Sequence, residues 1–224
     1  MMYCQIAIDG PAGAGKSTIA KIAASRLGYV YIDTGAMYRA MGLFFDRNGK
    51  WPEKSEDIRA LSDKADISIS NVDGVQKIYL NNEDVSEAIR TEKAGMSASR
   101  VSALPEVREK LVELQQKLAK SADVVMDGRD IGTVVLPDAT LKIFLTADVH
   151  VRAKRRLRQL EEKGVKEDIL KIEEDLKSRD HNDSTREASP LRQADDAVLL
   201  DTSDMTIEET ADAIISLLKE RKGV

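Results

Sequence analysis

Near the start of the chain, Gly10-Pro-Ala-Gly-Ala-Gly15-Lys16-Ser17 fits the pattern G-x-x-x-x-G-K-[ST]. Each residue type answers a need of phosphate chemistry. Glycines let the backbone curl until successive N–H groups face phosphate oxygens, the N-terminus of a following helix adds partial positive charge, and the Lys16 ammonium supplies a mobile point charge. The Ser17 hydroxyl is a hard oxygen suited to Mg²⁺. The flanks agree: Ile6, Ala7 and Ile8 read as a strand, and Ile19, Ala20, Ile22, Ala23 and Leu27 as the start of a helix. An ordinary glycine turn is the competing account. With Gly at about 7% of residues, a chance match in a chain of this length is on the order of one per cent.

A phosphate loop alone leaves an NTPase, a nucleic-acid motor and a small-molecule kinase all open. Further charged groups narrow the choice. Asp33-Thr-Gly-Ala-Met-Tyr38-Arg39 follows an apolar run, so the Thr34 hydroxyl and the Arg39 guanidinium are expected at a strand end, facing a substrate phosphate. Val124-Val-Met-Asp127-Gly128-Arg129-Asp130 follows another such run. Here Arg129 offers a second guanidinium, Asp130 an acceptor, and Asp127 a carboxylate able to steady Mg²⁺ through water. Taken singly, each of these arginines is as well explained by a weak surface ion pair. Together, at strand ends, they favour a phosphate site.

Arg152, Arg155 and Arg156 share one helical face between Val149 and Lys163, which suits a lid over a nucleotide; Arg158 and Glu162, four apart, equally suit a solvated charged face. Arg179, Asp180, Asp183 and Arg186 form the last charged group. A continuous helix would bring Arg179, Asp183 and Arg186 to one side, either as a site or with Arg179 and Asp183 as an i, i+4 ion pair.

These groups need a scaffold, and the apolar pattern supplies one. Gln5–Asp9, Tyr29–Asp33, Asp123–Asp127, Leu141–Leu145 and Ala197–Asp201 are short and bounded by turn residues, as buried parallel strands are. Leu104, Val107, Leu111, Leu114 and Leu118 recur at helical spacing, as do Ile207, Ala211, Ile214, Ile215 and Leu218, introduced by a capping box at Thr206 and Glu209. This predicts an α/β fold. From Ala65 to Val85 the period changes: Ile67, Ile69, Ile78 and Leu80 alternate with polar residues around Asp73 and Gly74, predicting a small antiparallel hairpin insert.

At 224 residues the chain has room for one substantial core and a smaller insert or lid. A net charge of −5 argues against a general nucleic-acid binder, which needs basic surplus to displace counterions. The one cysteine, Cys4, suits a reducing compartment. No segment approaches the roughly 20 apolar residues that span a bilayer. A cytoplasmic enzyme is expected, without nucleic-acid or membrane partners, and acting as a monomer.

The segments Ile8-Asp-Gly-Pro-Ala-Gly-Ala-Gly-Lys-Ser-Thr18, Asp33 to Arg39, Ile89-Arg-Thr91, Asp127-Gly-Arg-Asp-Ile-Gly132 and Arg179 to Arg186 resemble, in order and over nearly the whole chain, the bacterial cytidylate kinase family. The resemblance implies a five-stranded parallel sheet flanked by helices, as in other P-loop nucleoside monophosphate kinases, with a β-containing insert and a helical lid. It divides the chain into a core of 1–33, 121–150 and 187–224, a nucleoside monophosphate-binding region of 34–120, and a lid with its following helix of 151–186. The implied reaction is ATP-dependent phosphorylation of CMP, and of dCMP, with Mg²⁺. ATP would be held by Gly10, Pro11, Ala12, Gly13, Ala14, Gly15, Lys16, Ser17 and Thr18, with Arg155 and Arg156 from the lid. The resemblance implies cytosine contacts from Ser99, Arg108 and Asp130, ribose contacts from Arg179 and Asp183, and phosphate contacts from Thr34, Arg39, Arg129 and Arg186, with Tyr38 beside them. Lys16, Arg39, Arg129, Arg155, Arg179 and Arg186 would carry the chemistry. Thr34 stands where the family often has Ser; it keeps the hydroxyl and adds a methyl. The alternatives are a kinase for another monophosphate such as UMP, and a P-loop ATPase that is not a kinase.

Overall fold

The computed structural model describes residues 3–49, 51–72, 75–162 and 164–223. Along the chain run β1 (Gln5–Asp9), α1 (Lys16–Leu27), β2 (Val30–Asp33), α2 (Thr34–Arg47), α3 (Ser55–Asp63), β3 (Ile67–Val72), β4 (Val75–Leu80), β5 (Glu83–Asp84), α4 (Glu92–Val101), α5 (Pro105–Ala119), β6 (Val124–Gly128), β7 (Leu141–Thr146), α6 (Val149–Glu161), α7 (Ile169–Thr185), β8 (Val198–Asp201) and α8 (Ile207–Lys222). The chain separates into two compact units, Met1–Tyr31 with Ala122–Val224, and Ile32–Ser121. No described helix is long and apolar enough to cross a membrane.

A five-stranded sheet has the order β2-β6-β1-β7-β8. Its pairs β1/β6, β1/β7 and β7/β8 are parallel. The five apolar runs of the sequence are these strands, each within a residue or so of the predicted bounds. Parallel neighbours need crossovers by helices packed on the sheet, so the central strands are mostly apolar, with Asp9, Asp127 and Lys142 as buried exceptions. Ile6 and Ile8 of β1, Val125 of β6, and Leu141, Ile143 and Leu145 of β7 pack with Ala20 and Ala23 of α1 and Ile214 and Leu218 of α8. The predicted capping box starts α8, with Thr206 and Glu209 satisfying each other's backbone N–H.

The register fixes what stands at the sheet's C-terminal edge. Ile8 pairs with Asp127 and Asp9 with Gly128, so β6 delivers its carboxylate beside the point where β1 turns into the phosphate loop. At that point Gly10 has φ +148°, and a Cβ there would lie 1.9 Å from the Leu145 carbonyl oxygen. Only glycine makes this exit.

In the second unit β3 and β4 form the expected hairpin, pairing Ile67 with Leu80 and Ile69 with Ile78. The turn residues anticipated for it, Asp73 and Gly74, lie outside the described residues. A third strand, β5, pairs with β4 through Leu80 and Glu83. Asn81 and Asn82 link them at φ +50° and +67°. That left-handed pair makes the tight hairpin, and asparagine is the side chain that best tolerates it. The sequence reading missed this strand because two acidic residues carry no apolar alternation. Elsewhere, α2 and α4 approach closely at Gly42, where a Cβ would lie 2.8 Å from the Ser97 backbone. Trp51 is fixed in this unit: its indole N–H donates to Asp46 at 3.2 Å, Phe45 meets the ring edge-on at 5.3 Å, and the Arg100 guanidinium lies 3.9 Å above it.

Candidate active site

Within the unit that carries the sheet, the phosphate loop occupies the turn between β1 and α1. Gly15 caps α1 in a left-handed conformation, and Lys16 and Ser17 open the helix. The first N–H groups of such a helix have no intrahelical partner, which makes this end an anion seat. Lys16 is almost wholly buried, and its Nζ donates to the Pro11 carbonyl at 2.7 Å. Burial, reinforced by the Arg129 charge, pushes its pKa down to about 7 against the opposing pull of Asp127, Asp9 and Asp183. A cation stored this way gains much from an incoming polyanion.

Asp127 is the hub beside it. Its two oxygens accept from Ser17 Oγ and from the Tyr31 hydroxyl, each at 2.8 Å. A serine hydroxyl and a carboxylate side by side are hard oxygen donors, so the pair fits Mg²⁺ either directly or through water. One residue on, Arg129 Nε donates to Asp183 Oδ2 at 2.7 Å and Nη1 to the Gly128 carbonyl at 3.2 Å. Burial works against the Arg129 charge, but Asp183, with smaller help from Asp127 and Asp180, outweighs it and lifts its pKa above the ordinary guanidinium value.

Asp130 is buried, with Oδ1 3.7 Å from Arg186 Nη2. The turn that carries it is held by Asp9, whose two oxygens accept from the Ile131 and Gly132 N–H groups at 2.8 and 2.7 Å. Burial raises the Asp9 pKa to about 6 in spite of these bonds. Asp9 therefore ties the strand before the phosphate loop to the loop after β6. Sequence reading gave it no role, although a carboxylate ending a buried strand directly before a phosphate loop is a visible signal.

The last charged group departs from its expected form. α7 stops at Thr185, and Arg186 has already left the helix at ψ 142°, with Nε on the Ser189 carbonyl at 2.8 Å. The three side chains are thus not displayed by one continuous helix. Asp183 meets Arg129 across the fold, a partner outside the i, i+4 spacing, while Arg179 is exposed. Nor do the arginines of α6 share a single fate. Arg152 turns inward, donating to the carbonyls of Ala147 at 2.9 Å and Ala12 at 2.8 Å and to Asp180 at 2.6 Å. Arg155 donates to the Thr202 carbonyl at 2.6 Å, and Arg156 is half-buried.

In the second unit, Asp33 caps α2 by accepting from the Ala36 N–H at 2.8 Å, and its other oxygen accepts from Arg39 at 3.1 Å. Thr34 is buried at the first turn of that helix. Arg108 is also buried, its guanidinium 5.5 Å over the Tyr38 ring and donating to the Ser102 carbonyl at 3.3 Å. Ser99 lies exposed on α4, with its carbonyl accepting from the Ser102 hydroxyl at 2.8 Å. Tyr38 and Arg108 are thus brought together, as are Asp33 and Arg39; the Ser99 carbonyl is linked to Arg108 through Ser102.

A family profile described as cytidylate kinase matches residues 6–220. Proteins named cytidylate kinase from Caldicellulosiruptor saccharolyticus and Caldicellulosiruptor bescii are 53% and 52% identical over 217 residues, covering 97% of this chain and 96% of each relative. Among solved structures, an uncharacterized protein from Eubacterium ventriosum aligns with a TM-score of 0.54 at 13% identity, over 97% of this chain and 98% of that one, a likeness of fold alone. With the family profile spanning almost the full length and half of all residues shared with relatives of equal extent, the chain belongs to the cytidylate kinase family.

Proposed function

We propose that the protein transfers the γ-phosphoryl group of ATP to the phosphate of CMP, and of dCMP, releasing ADP. The observation that carries this reading is the phosphate loop with its buried Lys16 beside the Ser17–Asp127 pair, in a chain of the cytidylate kinase family. The acceptor is already an anion, so no base is needed to create a nucleophile. The task is to bring two negative groups into line and to neutralise charge as it spreads over the transferring oxygens. Lys16, Arg39, Arg129, Arg155, Arg179 and Arg186 serve that task. Mg²⁺ held by Ser17, with Asp127 through water, would neutralise charge on the triphosphate.

The assignments for the base follow its chemistry. Cytosine offers an exocyclic amino donor beside the acceptors N3 and O2; a carboxylate suits the first and a guanidinium the others, so Asp130, Arg108 and Ser99 are assigned to the base. Thr34, Tyr38, Arg39, Arg129 and Arg186 are assigned to the phosphate end, Arg179 and Asp183 to the sugar. Segment 151–186 is read as the lid that excludes water together with the helix that follows it, 34–120 as the monophosphate-binding region, and the remainder as core. The reading further takes the enzyme to be monomeric and cytoplasmic, a compartment that the lone Cys4 suits.

A coupled assay of ADP release with CMP, dCMP, UMP, AMP and GMP tests the reading. CMP and dCMP are expected to give the highest kcat/KM. Equal turnover of UMP, or ADP release without any acceptor, would replace it with a different monophosphate kinase or an ATPase.

For the sugar, Asp183→Ala is expected to raise KM for CMP or lower kcat roughly ten- to hundredfold, the range for losing a hydrogen bond to a charged group. ATP affinity should stay nearly constant. Part of the loss is shared by CMP and dCMP, because Arg129 also loses its partner; the remainder should fall on CMP, which alone carries the 2′-hydroxyl. Equal losses for the two substrates would leave Asp183 as an anchor for Arg129 only.

A further inference from the structure

One residue of the phosphate loop is held at both of its backbone polar atoms by side chains from elsewhere in the fold. The Ala12 N–H donates to Asp180 Oδ1 at 3.1 Å, and the Ala12 carbonyl accepts from Arg152 Nη1 at 2.8 Å. Arg152 and Asp180 close the figure with a 2.6 Å ion pair in which the Arg152 side chain is only 8% exposed. Apolar contacts seat the same residue: Ala12 packs with Ala153 of α6 and with Ile172 and Leu176 of α7. Next to it, a Cβ on Gly13 would lie 3.4 Å from Leu176 Cδ2 and 3.5 Å from Arg152 Cβ. Loop residues 12 and 13 therefore lie against α6 and α7.

A glycine-rich loop has little conformational preference of its own, so its N–H groups aim at phosphate only if something outside the loop fixes them. We propose that Asp180 is a positioning residue for ATP: it clamps the loop through the Ala12 N–H and, with Arg152, locks it in register with α7, the helix assigned above to the sugar. The pairing also answers an electrostatic problem. A carboxylate hydrogen-bonded to a phosphate loop repels the triphosphate unless its charge is neutralised, and Arg152 does so at 2.6 Å while using the same nitrogen to hold the loop's carbonyl. Asp180 thus aligns the loop, and Arg152 makes Asp180 tolerable to the anion.

This inference deepens the kinase reading and rests on it, but its first test needs no acceptor. Equilibrium ATP binding is measured for wild type, Arg152→Met, Asp180→Asn and the double variant Arg152→Met/Asp180→Asn. Arg152→Met exposes the triphosphate to an uncompensated carboxylate and is expected to weaken ATP at least about tenfold. The double variant removes that carboxylate, keeps an amide oxygen for the Ala12 N–H, and should bind ATP several-fold more tightly than Arg152→Met. A structural ion pair gives the reverse order, with the double variant no better than the single. In turnover, Asp180→Ala should lower kcat by about ten- to a hundredfold, as a small misplacement of donor against acceptor does, with KM for CMP changed much less. Wild-type kinetics for Asp180→Ala well below its melting temperature, or equal ATP affinity in Arg152→Met and the double variant, would overturn the proposal. Wild type that binds ATP but ignores CMP would refute the substrate reading and leave the binding comparison decisive for the clamp.

Discussion

Lys16→Met is expected to lower kcat/KM by at least about 10² to 10³, the cost of removing one preorganised electrostatic contact from a developing negative charge. Methionine keeps much of the aliphatic stem, so the near-complete burial of this position is preserved while the charge is lost. Burial holds the ammonium pKa at about 7 against an ordinary 10.5. Between those values the unfolded chain binds the proton and the folded protein does not, so wild-type stability rises with pH over that window relative to the variant. The variant should therefore gain most in melting temperature below pH 7, and the gain should shrink by pH 9 to 10. The same shift has a binding signature. Phosphates beside Lys16 favour its charged form, so ATP binding near pH 8 should take up protons, measurable by calorimetry in buffers of differing ionisation enthalpy. Normal turnover by Lys16→Met with an unchanged far-UV spectrum would remove Lys16 from the phosphate site.

Asp130→Ala is expected to collapse the preference for CMP over UMP. On the proposed reading, the carboxylate would accept from the cytosine amino group and oppose the uracil oxygen at the same place. Sites built on hydrogen bonds discriminate by up to about 10⁴ to 10⁵ when a mismatch leaves buried groups unpaired. Asp130 is buried and lies 3.7 Å from Arg186, so a loss of at least about 10² in the kcat/KM ratio is expected. Asp130→Asn is the sharper probe, since its amide can donate to the uracil oxygen and should turn the preference toward UMP. ATP affinity should barely move in either variant. An unchanged CMP/UMP ratio would mean that Asp130 serves to hold Arg186 and does not read the base.

The strands, the phosphate loop and the amphipathic helices were legible in the sequence because each is a local pattern: period, turn residue or cap. What escaped it was long-range or lacked a pattern. Asp183 pairs with Arg129 from 54 residues away, and Asp180 reaches Ala12 from 168 away. Helical spacing offers only neighbours three and four residues apart, so it proposed Arg179 for Asp183 and a shared face for Arg152, Arg155 and Arg156. The end of α7 was hidden too, because Thr185 and Arg186 carry no strong stop signal. The partners of Asp9 were hidden as those of Asp180 were: its place before the phosphate loop is visible in the sequence, but the Ile131 and Gly132 N–H groups belong to a distant turn whose backbone no motif describes.

Trp51, wedged between Phe45 and Arg100, is the chain's one tryptophan, and all of these neighbours belong to the Ile32–Ser121 unit. The protein thus carries an optical reporter confined to that unit. Excited at the red edge, where tyrosine is silent, its emission follows the loosening of α2 and α4 and is blind to the parallel sheet. Far-UV circular dichroism weights both units. If the two signals trace one transition, the units melt as a single cooperative system; if emission moves first, the Ile32–Ser121 unit opens on its own.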